Sequence, residues 1–412
     1  MNEATPENAP LAGITVLDLS RALAGPFATA LLADMGATII KAESIKGGDS
    51  SRSWPPFEKE HSLYFDSVNR GKDSIAIDFY TPQGRNLLRR MALSADVVIE
   101  NFRPGVMADM GLDPEELRIE KPDLIVASVT GFGATGPLSR TAGLDQVAQG
   151  MSGLMSVTGP DDKHMYRAGL PVIDIYAGVF TAFGIAAALV ARERGGSGAT
   201  VSTSLLESAL AVSAFQGQNY LSTGEVPVPQ GNDHPVLSPY GVFKSADIPI
   251  IIAVGSDKHW LQLCSLIGGQ DLVRAPEYAT GKLRSENRGR LKTRLEELLA
   301  ARSGTEWVAE LRRVGIPTGP IYNYQQVFDD QQVKHLDMIR RVHRHDGTEL
   351  PLLRGPISIN GEPNPIRKPP PALGEDTRRV LERLELTQEQ IEGLISSGIV
   401  RQFVDQIAQV DA

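Results

Sequence analysis

Short apolar runs alternate with amphipathic stretches through the first third of the chain. Residues 14–19 read as a strand, followed by a helix that Gly25-Pro26 opens and Gly36 stops after Met35. Strands are predicted at 38–42 and 74–79. Thr81-Pro82 then starts a helix to Ala95, and 96–100 and 124–129 are further strands. Strands separated by helices of roughly ten to fifteen residues predict βαβ units and a largely parallel α/β sheet. Ligands of such sheets bind beyond the carboxyl ends of the strands. The loops there are 20–24, 43–52, 101–105 and 130–140.

The pattern changes further on. A long apolar helix is predicted over 175–194, a short strand at 201–203 and a helix over 205–221. The Pro-, Gly- and Asn-rich stretch 223–239 reads as a domain border. Beyond it come a strand at 248–254, helices at 258–267, 287–301 and 305–314, and a hairpin turning at Asp346-Gly347. Five prolines keep 360–375 extended, and helices at 376–385 and 387–397 close the chain. Residues 175–191 are long enough to span a membrane. No second span or aromatic belt accompanies them, so they are read as a buried helix.

With 412 residues the chain exceeds one ordinary core, so two or more domains are expected. The formal net charge of -9 argues against nucleic acid as a partner, because phosphate backbones need a basic footprint. The single cysteine, Cys264, allows no intrachain disulfide, which favours the cytoplasm. Residues 1–10 lack a basic start and an apolar run, so they are read as a disordered lead rather than a signal peptide.

Generic motifs are absent: no phosphate loop, no G-x-G-x-x-G after the first strand, no G-x-S-x-G elbow. His343 and His345 lack further ligands nearby, so no metal is expected. Three features carry chemistry. Arg21, Lys41, Arg52, Arg70, Lys72 and Arg103 fall on or beside strand-end loops, where a cationic rim suits a phosphorylated ligand. Gly131-Phe132-Gly133 and Gly136-Pro137 let backbone approach a ligand closely, or make a plain turn. Asp174 stands among apolar residues at the start of a helix, as an N-cap, a catalytic carboxylate, or both.

The ordered set of segments resembles the class III coenzyme A transferases, the group that includes formyl-CoA and carnitine CoA-transferases. The resemblance runs through residues 19–26, 32–37 and 40–43, Asn69-Arg70-Gly71-Lys72, and Glu100-Asn101-Phe102-Arg103-Pro104-Gly105. It continues through the glycine segment at 131–137, residues 151–159 and 171–178, Gly231-Asn232 with His234-Pro235, Gly315-Ile316-Pro317, and 373–377. It implies a Rossmann-like large domain (1–200 and 335–412), a smaller α+β domain (225–325), linkers at 201–224 and 326–334, and an interlocked homodimer.

It also implies that Asp174 is a covalent nucleophile passing coenzyme A (CoA) between carboxylic acids through an aspartyl-CoA thioester, with neighbouring backbone amides stabilising the oxyanion. No permanent cofactor is implied, since CoA thioesters are substrates. The expected CoA contacts, from the resemblance and the rim together, are Arg21, Ala22, Leu23, Lys41, Arg70, Lys72, Asn101, Phe102, Arg103 and Arg140. Asp109 stands where many relatives carry Arg, and Leu23 where formyl-CoA transferase has Gln. Oxalate is therefore not the first expectation; a dicarboxylate acceptor with succinyl-CoA or acetyl-CoA as donor is. Arg167 could pair a distal carboxylate or equally form a structural ion pair. The alternative is a 2-methylacyl-CoA racemase, whose relatives carry His where Leu144 stands. A CoA-binding protein without catalysis would need no Asp174.

Overall fold

The computed structural model describes residues 9–404, so most of the expected disordered lead lies outside the described residues. The chain divides into two units. One holds residues up to 154, 168–222 and from 337 onward, and the other holds 155–167 and 223–336.

The first unit is built on seven strands: β1 (Thr15–Asp18), β2 (Thr38–Ser44), β3 (Lys72–Ile77), β4 (Val97–Glu100), β5 (Ile125–Thr130), β6 (Thr200–Ser204) and β7 (Val400–Arg401). Their order is β7-β3-β2-β1-β4-β5-β6. The six long strands run parallel, and β7 adds antiparallel to the edge of β3. Both faces are covered, as parallel sheets require. Successive side chains point to opposite faces. Val16, Ile39, Val97, Ile99 and Ile125 pack beneath α1 (Ala24–Asp34) and α4 (Val172–Glu193). Leu17, Ile40, Ile75, Val98 and Val126 pack against α2 (Pro82–Ser94) and the closing helices Thr377–Arg383 and Gln388–Ser396. Helix α4 crosses α1 at Gly178, where a Cβ would stand 2.7 Å from the Ala24 carbonyl oxygen. Two shorter helices, α3 (Asp145–Met151) and α5 (Leu205–Ala211), lie near the start of α4.

The second unit carries a three-stranded antiparallel sheet, Tyr240–Phe243, Ile250–Ala253 and Thr318–Pro320. It packs with three helices over Trp260, Leu263, Leu291, Leu295 and Leu311. A capping box of Ser303 and Glu306 starts the last of them, Gly304–Arg313.

Several sequence expectations need correction. Helix α4 begins at Val172, three residues early, and is not buried all round. Ile173, Ala177, Thr181, Ile185 and Leu189 form one buried stripe, while Tyr176, Val179, Phe183 and Val190 are exposed. A uniformly apolar run has no periodicity to mark its outer face. The helix expected over 205–221 is two, α5 and Ala214–Thr223, broken where Ala214 takes a left-handed φ of 47°. The stretches 201–224 and 326–334, read as linkers, hold much helix.

The cationic rim is also reduced. Lys41 and Lys72 lie in strands, and both side chains are almost wholly buried. The Lys72 ammonium donates to Asp18 (3.0 Å), Asn69 (2.8 Å) and the Pro26 carbonyl (3.0 Å). Lys41 donates to the Ser20 carbonyl (2.8 Å) and pairs with Asp49 (2.9 Å). Burial pushes Lys72 down to about 8 despite Asp18. Arg70 forks onto buried Asp34 and Arg52 onto Glu43. These cations stay inside because each faces a carboxylate; an unpaired buried charge would not be tolerated. Lys72→Met is therefore expected to destabilise the protein by about 3–5 kcal/mol, measured by denaturant unfolding, because it strips Asp18 of its direct partner.

Candidate active site

The strand order reverses between β1 and β4, so the loops after these two strands diverge and leave a crevice. A cavity of about 560 Å³ opens there. Its walls are Arg21–Ala24 after β1, Asn101–Pro104 and Val106 after β4, Val129–Gly131 at the end of β5, and residues from 139 to 144. Tyr80, Leu205 and Asp174 complete it. Gly131 and Gly143 meet back to back; a Cβ on either would stand within 2.6 Å of the other's Cα. The glycine segment thus packs backbone on backbone to form this wall.

Of the expected CoA contacts, Arg21, Ala22, Leu23, Asn101, Phe102 and Arg103 line the cavity. Arg140 lies exposed between two lining residues, Ser139 and Thr141. Lys41, Arg70 and Lys72 do not line it, for the reason given above. Arg167 belongs to the second unit. The Arg21 guanidinium stacks over the Phe102 ring at 5.1 Å, and the Asn101 carboxamide accepts from the Arg21 amide and donates to its carbonyl, both at 2.8 Å. Two cations, an aromatic face and a fixed carboxamide suit a large phosphorylated, ring-bearing ligand.

Asp174 sits in the first turn of α4, not at its N-cap; Pro171 occupies that position and offers no side-chain cap. The amides of this turn all have partners. Val172 donates to the Leu170 carbonyl (2.8 Å) and Ile175 to Pro171 (3.1 Å). Ile173 and Asp174 both donate to Asp145 Oδ1 (2.8 and 3.3 Å). Asp145 begins α3, and its other oxygen accepts from Gln149 (2.6 Å), whose own oxygen accepts from the Ala168 amide (2.8 Å). The four amides from Val172 to Ile175, the nearest candidates for an oxyanion, thus all have partners, two of them on Asp145.

The electrostatic consequence is large. Burial, and then the neighbouring charge of Asp145, push the Asp174 carboxyl up to about 7. A carboxylate of that basicity is a stronger nucleophile than an ordinary one and is still substantially ionised near neutral pH. Tyr64 is held above the usual phenol range by burial and by the charges of Asp174, Asp145 and Asp49. No histidine is among the described residues that line the cavity, and Leu144 is part of its wall.

Sequence reasoning missed Asp145, Tyr64, Tyr80, Ser139, Thr141 and Leu205. One signal could have found Asp145: a helix opening after Pro171 without a Ser, Thr, Asp or Asn cap needs an acceptor from elsewhere.

Comparison with known proteins accords with this geometry. A protein-family model described as CoA-transferase family III matches residues 11–377. A succinate–glutarate CoA-transferase of Agrobacterium fabrum is 40% identical over 383 residues, 91% of this chain and 96% of that protein. An acetyl-CoA:oxalate CoA-transferase of Acetobacter aceti is 37% identical over 372 residues, 90% and 94% respectively. Among solved structures, a CAIB/BAIF family protein from Brucella suis superposes with a TM-score of 0.82 at 38% identity, over 92% of this chain and all of that one.

If Asp145 contributes to the raised Asp174 value, Asp145→Asn will move the acid limb of kcat/KM to lower pH. The wild-type limb should lie near 7, with activity lost below it as Asp174 takes up a proton. In the variant the limb should stop above the ordinary carboxylate range, since burial remains. A pH–rate profile measures both.

Proposed function

The chain belongs to CoA-transferase family III, and we propose from that premise that it moves CoA from succinyl-CoA to a dicarboxylic acid of about glutarate's size, with Asp174 as nucleophile. The observation that carries the reading is a carboxyl raised to about 7 in the wall of a cavity that Arg21, Arg103 and Phe102 also line. The donor and acceptor follow the relatives' names. Ser139 and Thr141 line the same cavity, and hydroxyl side chains of this kind can donate to an acceptor carboxylate.

The steps follow from a single nucleophile. The Asp174 carboxylate attacks the donor thioester carbonyl, and the tetrahedral adduct expels CoA thiolate, leaving a mixed anhydride. The thiolate attacks the aspartyl carbonyl, releasing the donor acid and forming aspartyl-CoA. The acceptor carboxylate then displaces the thiolate, and the thiolate takes the acceptor acyl group, freeing Asp174. Two acyl exchanges of similar energy replace one unfavourable displacement. No proton need be removed from carbon, and no histidine is among the described residues that line the cavity, which favours this reading over racemisation.

The CoA-bearing unit is read as Rossmann-like, because β3-β2-β1-β4-β5-β6 is the doubly wound order. The protein is read as an interlocked homodimer, supported by the exposed Tyr176, Val179 and Phe183 on α4. It is placed in the cytoplasm, in keeping with a lone, buried cysteine.

Initial rates with succinyl-CoA and a panel of dicarboxylates should show acceptor-dependent CoA exchange. Asp174→Asn should lower kcat by at least about a thousandfold. Deuterium uptake at the acyl α-carbon without CoA exchange would replace this reading with racemisation.

A further inference from the structure

The cavity wall after β1 is held in a shape its own residues do not favour. Ala22 has a φ of 64°, a left-handed backbone that only glycine adopts freely. Its neighbours Arg21 and Leu23 line the cavity with it, so the turn at Ala22 sets the outline of that wall. Two sets of groups hold the turn. From within the cavity, Asn101 binds both backbone groups of Arg21 at 2.8 Å. From behind, the Ala22 amide donates to Asp49 Oδ1 at 3.0 Å, and the Ser20 carbonyl accepts from Lys41 at 2.8 Å. Asp49 and Lys41 pair at 2.9 Å with side chains about 1% exposed. Asp49 also accepts from the Ser51 amide and hydroxyl at 2.9 and 2.8 Å. It is therefore fixed before it meets Ala22.

We infer that Asp49 is a positioning residue for acyl-CoA: from behind the wall, its carboxylate holds the Ala22 amide so that Arg21–Leu23 keep the outline that admits the thioester ligand. This rests on the reading of the cavity as the acyl-CoA site. Asp49 does not line the cavity, and Asp174 is held by a separate set of contacts through Asp145. The effect of losing Asp49 should therefore fall on acyl-CoA binding and spare the chemical step. The alternative is that Asp49 only closes its own turn through Ser51. In that case residues 20–23 would not register its loss.

The test has two arms on the full-length protein. In the first, hydrogen exchange of peptides spanning residues 20–23 is followed without ligand. Asp49→Ala should speed exchange at Ala22 at least tenfold. In the second, steady-state rates are measured with succinyl-CoA. The same variant should raise KM for the thioester about tenfold, the worth of one hydrogen bond to a charged acceptor. Its kcat should stay within about threefold of wild type. Adding Ala22→Gly should recover part of the KM, because glycine adopts this turn unaided. Asp49→Asn keeps an acceptor oxygen but drops the ion pair, and it is read the same way, with smaller changes, if Asp49→Ala does not fold. Unchanged exchange at Ala22 in a folded variant would overturn the inference. So would a loss confined to kcat with no rescue by Ala22→Gly. If the wild-type protein bound no acyl-CoA, the functional reading would fall with the second arm, while the first would still decide whether Asp49 holds the turn.

Discussion

The carboxyl of Asp145 lies against the two backbone amides that open the turn bearing Asp174. A helix start ordinarily offers free N–H groups to a nearby anion. Here those groups are taken, and the anion that takes them is itself placed beside Asp174. Asp174 therefore has burial and a like charge against its ionisation, with no local amide to offset them, and it is pushed up to about 7. The same contact caps α4 in place of the cap Pro171 cannot supply. One interaction thus serves the packing of α3 on α4 and the reactivity of the site.

A second constraint works at the end of β1, behind the loop that follows it. Asp18, at the end of β1, accepts from Lys72, Ser20 and Thr29. Lys41 links the following loop to Asp49. Buried ion pairs add little net stability because each charge has lost its water. They do resist rearrangement, since any displaced partner would be left unpaired in a low-dielectric interior. Such pairs, set behind the loop after β1 rather than in the cavity wall, keep that loop in place, and preorganisation of that kind lowers the ordering that binding must otherwise supply.

The alternation of strands and helices was legible because short apolar runs such as 14–19 and 96–100 are separated by longer stretches with turn and helix-start residues, such as Thr81-Pro82 before α2. Asp174 was legible as an acid out of place among apolar neighbours and Arg21 and Arg103 as cations at strand ends, while Asn101 was legible only through the family resemblance. What escaped was decided by distance along the chain. Asp145 meets Ile173 across 28 positions and Lys72 meets Asp18 across 54, and no local pattern marks either pair. Lysines near strand ends are expected in solvent; Lys41 and Lys72 are inside because carboxylates from other segments meet them. The outer face of α4 escaped for the opposite reason, since a stretch apolar on every side does not say which side is covered.

A covalent link between Asp174 and CoA, the step on which the proposed transfer turns, can be caught by rapid quenching. The protein is mixed with succinyl-CoA without acceptor, quenched in acid and weighed intact by mass spectrometry, beside Asp174→Asn. A mass increase equal to CoA less one water is expected, mapped to the peptide containing Asp174 and absent from the variant. CoA exchange proceeding at its normal rate with no such adduct, or with the adduct on another residue, would contradict the covalent link.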